Sequence, residues 1–124
     1  MSQPHRDLAS VLDIVLACRD VESFLGGIER ADFVEEEPEG EARKTRYAVI
    51  HQLLVIGEAT KRLSEEFRAK HPQVPWRGMA GLRDRLIHGY EEVDLFRVWK
   101  IATVEVPALR RQLEPLLPAS PADR

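Results

Sequence analysis

Cysteine is almost missing from this chain. Cys18 stands alone among 124 residues, so no disulfide can close within the chain, and a reducing compartment suits it. Long hydrophobic runs are missing as well. The longest, such as 53–56, fall far short of the ~20 apolar residues that cross a bilayer. The first residues lack the basic, apolar, small order of a secretory leader, and the expected location is cytoplasmic. Nor is there a strong charge of one sign. Eighteen basic and 21 acidic residues leave a net charge of −3, which excludes a polycation that coats nucleic acid wholesale. A nucleic-acid contact would have to be a local cluster. Strand-length alternation of apolar and polar residues is absent too, as are repeats and low-complexity blocks.

What is present is helical patterning. Hydrophobic residues at 44% and charged residues at 31% are the composition of a folded domain. A chain of this length buries roughly two thirds of its extended surface in one core. From residue 8 to 28, Leu8, Val11, Leu12, Val15, Cys18, Val21, Leu25 and Ile28 recur at steps of three and four, predicting a long amphipathic helix. Gly26 and Gly27 weaken its end, and 35–40, with Pro38, reads as an acidic exposed loop. A second helix is expected over 41–70. It carries one apolar stripe through Tyr47, Ile50, Leu54 and Gly57 and another through Val49, Leu53, Ile56, Thr60 and Leu63. So wide an apolar arc predicts packing on two partners, of which a second copy of the chain is one candidate. Gly57 costs about 1 kcal/mol relative to Ala in a helix, and points to close approach by a neighbouring backbone.

Pro72 and Pro75 end that helix. A short third helix is expected over 78–87, with Gly89 to stop it. Asp94 is placed to cap a fourth, which runs through Leu95, Val98, Trp99, Ala102, Val106, Leu109, Leu113 and Leu116 and kinks at Pro107. The expectation is one all-α domain over 1–117, an antiparallel bundle of four to five helices, with a frayed tail at 118–124.

Four histidines are unequal in promise. His5 and His71 read as surface residues. His51 shares a helix face with Glu58 two turns away, but no Cys pair or carboxylate cluster completes a metal site, and a structural role is favoured. No metal or other cofactor is expected. His88 sits in R-D-R-L-I-H-G-Y, residues 83–90, with Asp84 one helical turn before it. Asp84 can therefore hold an imidazole N–H and orient the ring. Arg83 is five residues from His88, about 140° round an ideal helix, so only its long side chain, or unwinding near Gly89, brings the two together. Arg77, Arg83 and Arg85 lie close together between Trp76 and Tyr90, the one basic and aromatic cluster of the chain. Arg77 and Arg85 are candidates for RNA-phosphate contact and equally for solvated positions.

Arg plus His suits phosphoryl chemistry. RNA cleavage needs a base for the 2′-hydroxyl proton, an acid for the leaving 5′-oxygen, and a cation for the charge that grows on phosphorus oxygens. Imidazole serves either proton role near neutrality, and Arg the third. One chain supplies one such His, so two chains meeting would complete the set without a metal.

The segments I-G-E-A-T-K-R-L-S (56–64), V-P-W-R-G-M-A-G (74–81) and R-D-R-L-I-H-G-Y (83–90), with Trp99 and Pro107 beyond, resemble the HepT-like ribonuclease toxins of the HEPN superfamily over about residues 6–117. The resemblance implies a HEPN-like helical homodimer with a composite active site and a metal-independent ribonuclease leaving a 2′,3′-cyclic phosphate. It implies Arg83 and His88 as the catalytic pair. It also implies Tyr90 as the residue to which a cognate MntA antitoxin, a minimal nucleotidyltransferase, transfers AMP, in a type VII-like toxin–antitoxin pair. The alternative is a non-catalytic binding module that docks a nucleotidyltransferase and presents Tyr90 as its substrate, since HEPN-like domains also occur in that role.

Overall fold

The three- and four-residue spacing of Val11, Ile14, Val15, Cys18 and Val21 folds into α1, Gln3–Leu25, with all five side chains buried. The structure is a computed structural model that describes residues 3–88 and 93–118. Gly27, at φ 86°, takes the left-handed conformation that ends α1 and leaves Ile28 outside it. A short helix that the periodicity did not announce, α2, Arg30–Phe33, buries Phe33 against Trp99. The acidic loop follows as expected. It is pinned from below by the buried Arg46, whose Nε donates to the Phe33 carbonyl at 2.8 Å and whose terminal nitrogen donates to the Glu35 carbonyl.

Helix α3, Gly40–Arg62, buries Val49, Leu53, Ile56 and Thr60. The expected second helix does not run on to residue 70. Leu63 turns to an extended conformation at ψ 141°, and Ser64 caps a separate α4, Glu65–Lys70, its Oγ accepting from the Phe67 N–H at 3.1 Å. The break is held from α1. The buried Asp7 carboxylate accepts from the Ser64 N–H at 2.9 Å and from the Ser64 hydroxyl at 2.7 Å. The start of α1 thus meets the end of α3, as the Arg62–Asp13 pair at 3.1 Å also requires, and the two helices run antiparallel.

Helix α5, Trp76–His88, starts two residues earlier than expected because the buried Trp76 donates its indole N–H to the His71 carbonyl at 2.9 Å. Gly89, the expected stop, lies outside the described residues. Asp94 caps α6, Leu95–Lys100, accepting from the N–H groups of Phe96 and Arg97 at 3.0 and 3.4 Å. Near Pro107 the rod widens instead of breaking. Proline has no N–H to give, and a π-helical turn, Ile101–Glu105, precedes α7, Val106–Leu113. A 3₁₀ turn, Glu114–Leu116, ends the rod. Arg110 and Arg19 of the paired helices meet Glu22 and Glu114, which sets α7 antiparallel to α1.

The result is an all-α bundle with no strand among the described residues, in which α1 packs on α3 and α7, and α3 packs on α5. Among the described residues no helix is long and apolar enough to cross a membrane. Of the tail expected to fray, 119–124 lie outside the described residues.

Burial raises the pKa of Asp7, but the hydrogen bonds from the Ser64 backbone, the Ser64 hydroxyl and Gln3 outweigh it, and the net shift is downward. A carboxylate with a depressed folded pKa stabilises the fold above its unfolded pKa of about 3.9, and this contribution is lost as pH falls through the folded value. Asp7→Ala is therefore expected to lower stability by about 1–3 kcal/mol at neutral pH, the cost of leaving Ser64 unpaired. In urea denaturation the gap to wild type should narrow below pH ~4.

Candidate active site

The site begins at a helix crossing. Gly57 of α3 is buried under α5, where a methyl group in place of its hydrogen would overlap Cβ of Arg83 and stand 3.1 Å from the Met79 carbonyl oxygen. The close approach expected of Gly57 is real, and the neighbour is Arg83 itself. One residue on, Glu58 accepts a hydrogen bond from Arg83 Nε. One turn on, Lys61 donates to Asp84 Oδ1 at 2.8 Å, and the same oxygen accepts from an Arg83 terminal nitrogen at 3.0 Å. Three residues of α3 thus fix the position of Arg83.

Asp84, first, and Glu58 raise the Arg83 pKa, so it is a permanent cation. Lys61, first, and Arg83 hold the Asp84 pKa below the usual carboxylate range.

His88 stands on the other flank of α5. The helix stays regular through His88, so no unwinding before His88 shortens the wide angle to Arg83. Arg83 turns to α3, whereas His88 is exposed on a groove of about 480 Å³ between the end of α5 and α6. Asp84 joins the two flanks, since it bonds Arg83 and also lines the groove. Among the described residues its hydrogen-bond partners are Arg83 and Lys61. Leu82, Val98 and Ile101 are the buried apolar floor, and Arg85 and Arg97 stand exposed at the rim.

The basic cluster divides in space. Arg85 joins His88, while Arg77 lies exposed at the start of α5 over a separate hollow with Glu65 and Trp76. Tyr90 lies outside the described residues. His51 is exposed beside Glu58, which is occupied by Arg83. No group of three or more metal-ligating side chains gathers there or elsewhere among the described residues. Burial pushes the Cys18 thiol up to about 12, so it is not a nucleophile at neutral pH. Sequence reasoning passed over Glu58 as a partner of Arg83, and over Lys61 and Arg97 entirely. Glu58 and Lys61 act across 25 and 23 residues, which no local pattern reveals. Arg97 lies on α6, and only the groove that α6 shares with the end of α5 brings it near His88.

A family model described as Ribonuclease HepT-like matches residues 14–116. The chain belongs to the HepT-like family. A protein of Thermococcus cleftensis named a probable ribonuclease HepT is 38% identical over 116 residues, covering 94% of this chain and 98% of its own. Proteins of Methanocaldococcus jannaschii and Caldanaerobacter subterraneus, both named as candidate RNases, are each 38% identical. They cover 88% and 84% of this chain, and 95% and 88% of their own. No solved structure matches. With HepT-like membership, Gly57 and Arg83 become the crossing on which the site's geometry rests.

Gly57→Ala should raise the intrinsic helix propensity of α3 by about 1 kcal/mol yet lower the stability of the protein. The added methyl meets Cβ and backbone rather than a flexible side-chain tip, and overpacking of that kind costs ~1–3 kcal/mol. A fall in the urea midpoint is expected, and an unchanged or raised midpoint would refute the close crossing.

Proposed function

We propose that this chain is a metal-independent RNA endonuclease, the toxin of a toxin–antitoxin pair, with Arg83 and His88 as catalytic residues. The observation that carries the reading is the arrangement on α5 in a HepT-like chain. A clamped guanidinium lies on one flank, and an exposed imidazole on a cation-rimmed groove lies on the other. In this reading an imidazole of His88 takes the proton of a 2′-hydroxyl, whose oxygen attacks the adjacent phosphorus. The 5′-oxygen leaves with a proton from a second imidazole, and a 2′,3′-cyclic phosphate remains. Arg83 balances the charge on the non-bridging oxygens as the bond order at phosphorus changes. Asp84, ionised and tied to Lys61, holds Arg83 in place and sits where it can also orient His88.

Two imidazoles require two chains. Tyr47 and Ile87 expose 47% and 52% of their surfaces, and Ile87 lines a shallow hollow with Leu54 and Val55 next to Glu58. We take this face as the homodimer contact, because Ile87 adjoins His88 and contact there brings both copies of α5 together. Such an apolar centre fits a specific interface. Neutralisation in this reading comes from a MntA-like nucleotidyltransferase that transfers AMP to Tyr90, placing bulk and negative charge two residues from His88.

Purified unmodified protein is expected to cut single-stranded RNA in EDTA and to leave cyclic phosphate ends. His88→Ala and Arg83→Ala should each lower the rate by at least about 10²-fold while the thermal midpoint holds, and Ile87→Glu should yield monomers that cut poorly. Wild-type protein that never cuts, or a His88→Ala variant that cuts normally, sinks the assignment. Co-expression with the partner should add one adenylyl group to the tryptic peptide of Tyr90. Tyr90→Phe should abolish that mass, and an unmodified wild-type peptide counts against the tyrosine as the target.

A further inference from the structure

The groove beside His88 contains more than catalysis requires. Its two carboxylates are committed: Asp84 to Lys61 and Arg83, and Asp94 to the backbone of α6 as its cap. Its two guanidinium groups are not. Arg85 at the end of α5 and Arg97 on α6 are both exposed, and neither guanidinium makes a hydrogen bond or ion pair with another described residue. Between them lies an apolar floor of Leu82, Val98 and Ile101. A volume of about 480 Å³ falls within the ~300–1,000 Å³ of small-ligand clefts.

Cations unpaired among the described residues, together with an apolar floor, match one chemical unit, a nucleotide within a single strand. Its phosphates want bidentate guanidinium, and its base wants a dry surface. The geometry points to Arg97, together with Arg85, as the phosphate clamp for a nucleotide of the RNA strand whose base rests on that floor, next to the scissile position at His88. The assignment rests on the ribonuclease reading for the identity of the strand. Arg97 is reached only through the fold, because it stands on a different helix, nine positions after His88 in sequence. Apart from the His88 imidazole, the described lining residues carry no aromatic ring, so the floor itself offers the base aliphatic contact, and little discrimination between bases is expected from it.

A labelled single-stranded 2′-O-methyl RNA lacks the attacking hydroxyl and stays intact. Its fluorescence anisotropy therefore reads the groove apart from catalysis, whether or not the protein cuts RNA. At about 0.1 M salt, Arg97→Ala and Arg85→Ala should each weaken binding about fivefold. Each should also flatten the slope of log affinity against log salt by about 0.7, the share of one phosphate contact on a single strand. Arg97→Lys should recover much of the loss. Arg111→Ala makes the same charge change on the exposed face of α7 and should leave binding as it is. The proposal fails if Arg97→Ala binds like wild type, or if Arg111→Ala weakens binding as much. It fails equally if Arg97→Ala halves the sedimentation mass, since the groove would then be a contact between protein chains. Inorganic polyphosphate competing as well as the RNA would remove the role of the apolar floor.

Discussion

The contact between Gly57 and Arg83 is the constraint on which the rest of the site depends. A glycine in the middle of a 23-residue helix weakens that helix locally, and it persists because α5 lies too close for any side chain. That closeness brings Glu58 and Lys61 within reach of Arg83 and Asp84. An arginine on a surface helix usually samples many rotamers at considerable entropic freedom. Here backbone contact fixes its stem and two carboxylates fix its head, so the cation is aimed before any ligand arrives.

The second structural consequence is separation. Regular α-helix through His88 keeps the imidazole on the flank opposite the Arg83–Glu58 contact. The fold therefore fixes each group on its own flank, and in the function proposed above a second chain brings the two together. An open apolar hollow with Ile87 at its edge, immediately before His88, is consistent with that division. The charge distribution follows the same logic. The chain is acidic overall, so a strand of nucleic acid gains from it only where acids are neutralised internally and arginines are left over, which is the condition met among the described residues of the α5–α6 groove.

Much of this was legible along the chain. The period of α1, the stripe of α3 that forms the core, the Asp94 cap and the meaning of Gly57 are local signals. Each depends on residues within a few turns. The misplacements have physical causes. The helix expected over 41–70 breaks at Leu63 because Asp7, 57 residues away, supplies two hydrogen bonds that reward an extended backbone at Ser64. The helix α2 is held by burial of Phe33 and by Arg46 below it, not by its own four residues. Pro107 was legible as a disturbance, but not as a π-helical turn several residues upstream.

Residue types and their spacing by themselves determined the all-α class, the cap and core positions, and the candidacy of Arg83, Asp84, Arg85 and His88, because helical periodicity and titration chemistry are properties of short segments. Tertiary structure alone decided which neighbours those candidates have. Arg83 belongs to Glu58, Asp84 to Lys61, and His88 to a groove shared with Arg97. Pairings across 23 and 25 residues, or between side chains on two different helices, exist only once the chain has packed. A helix prescribes the direction of a side chain, while the fold prescribes what it meets there.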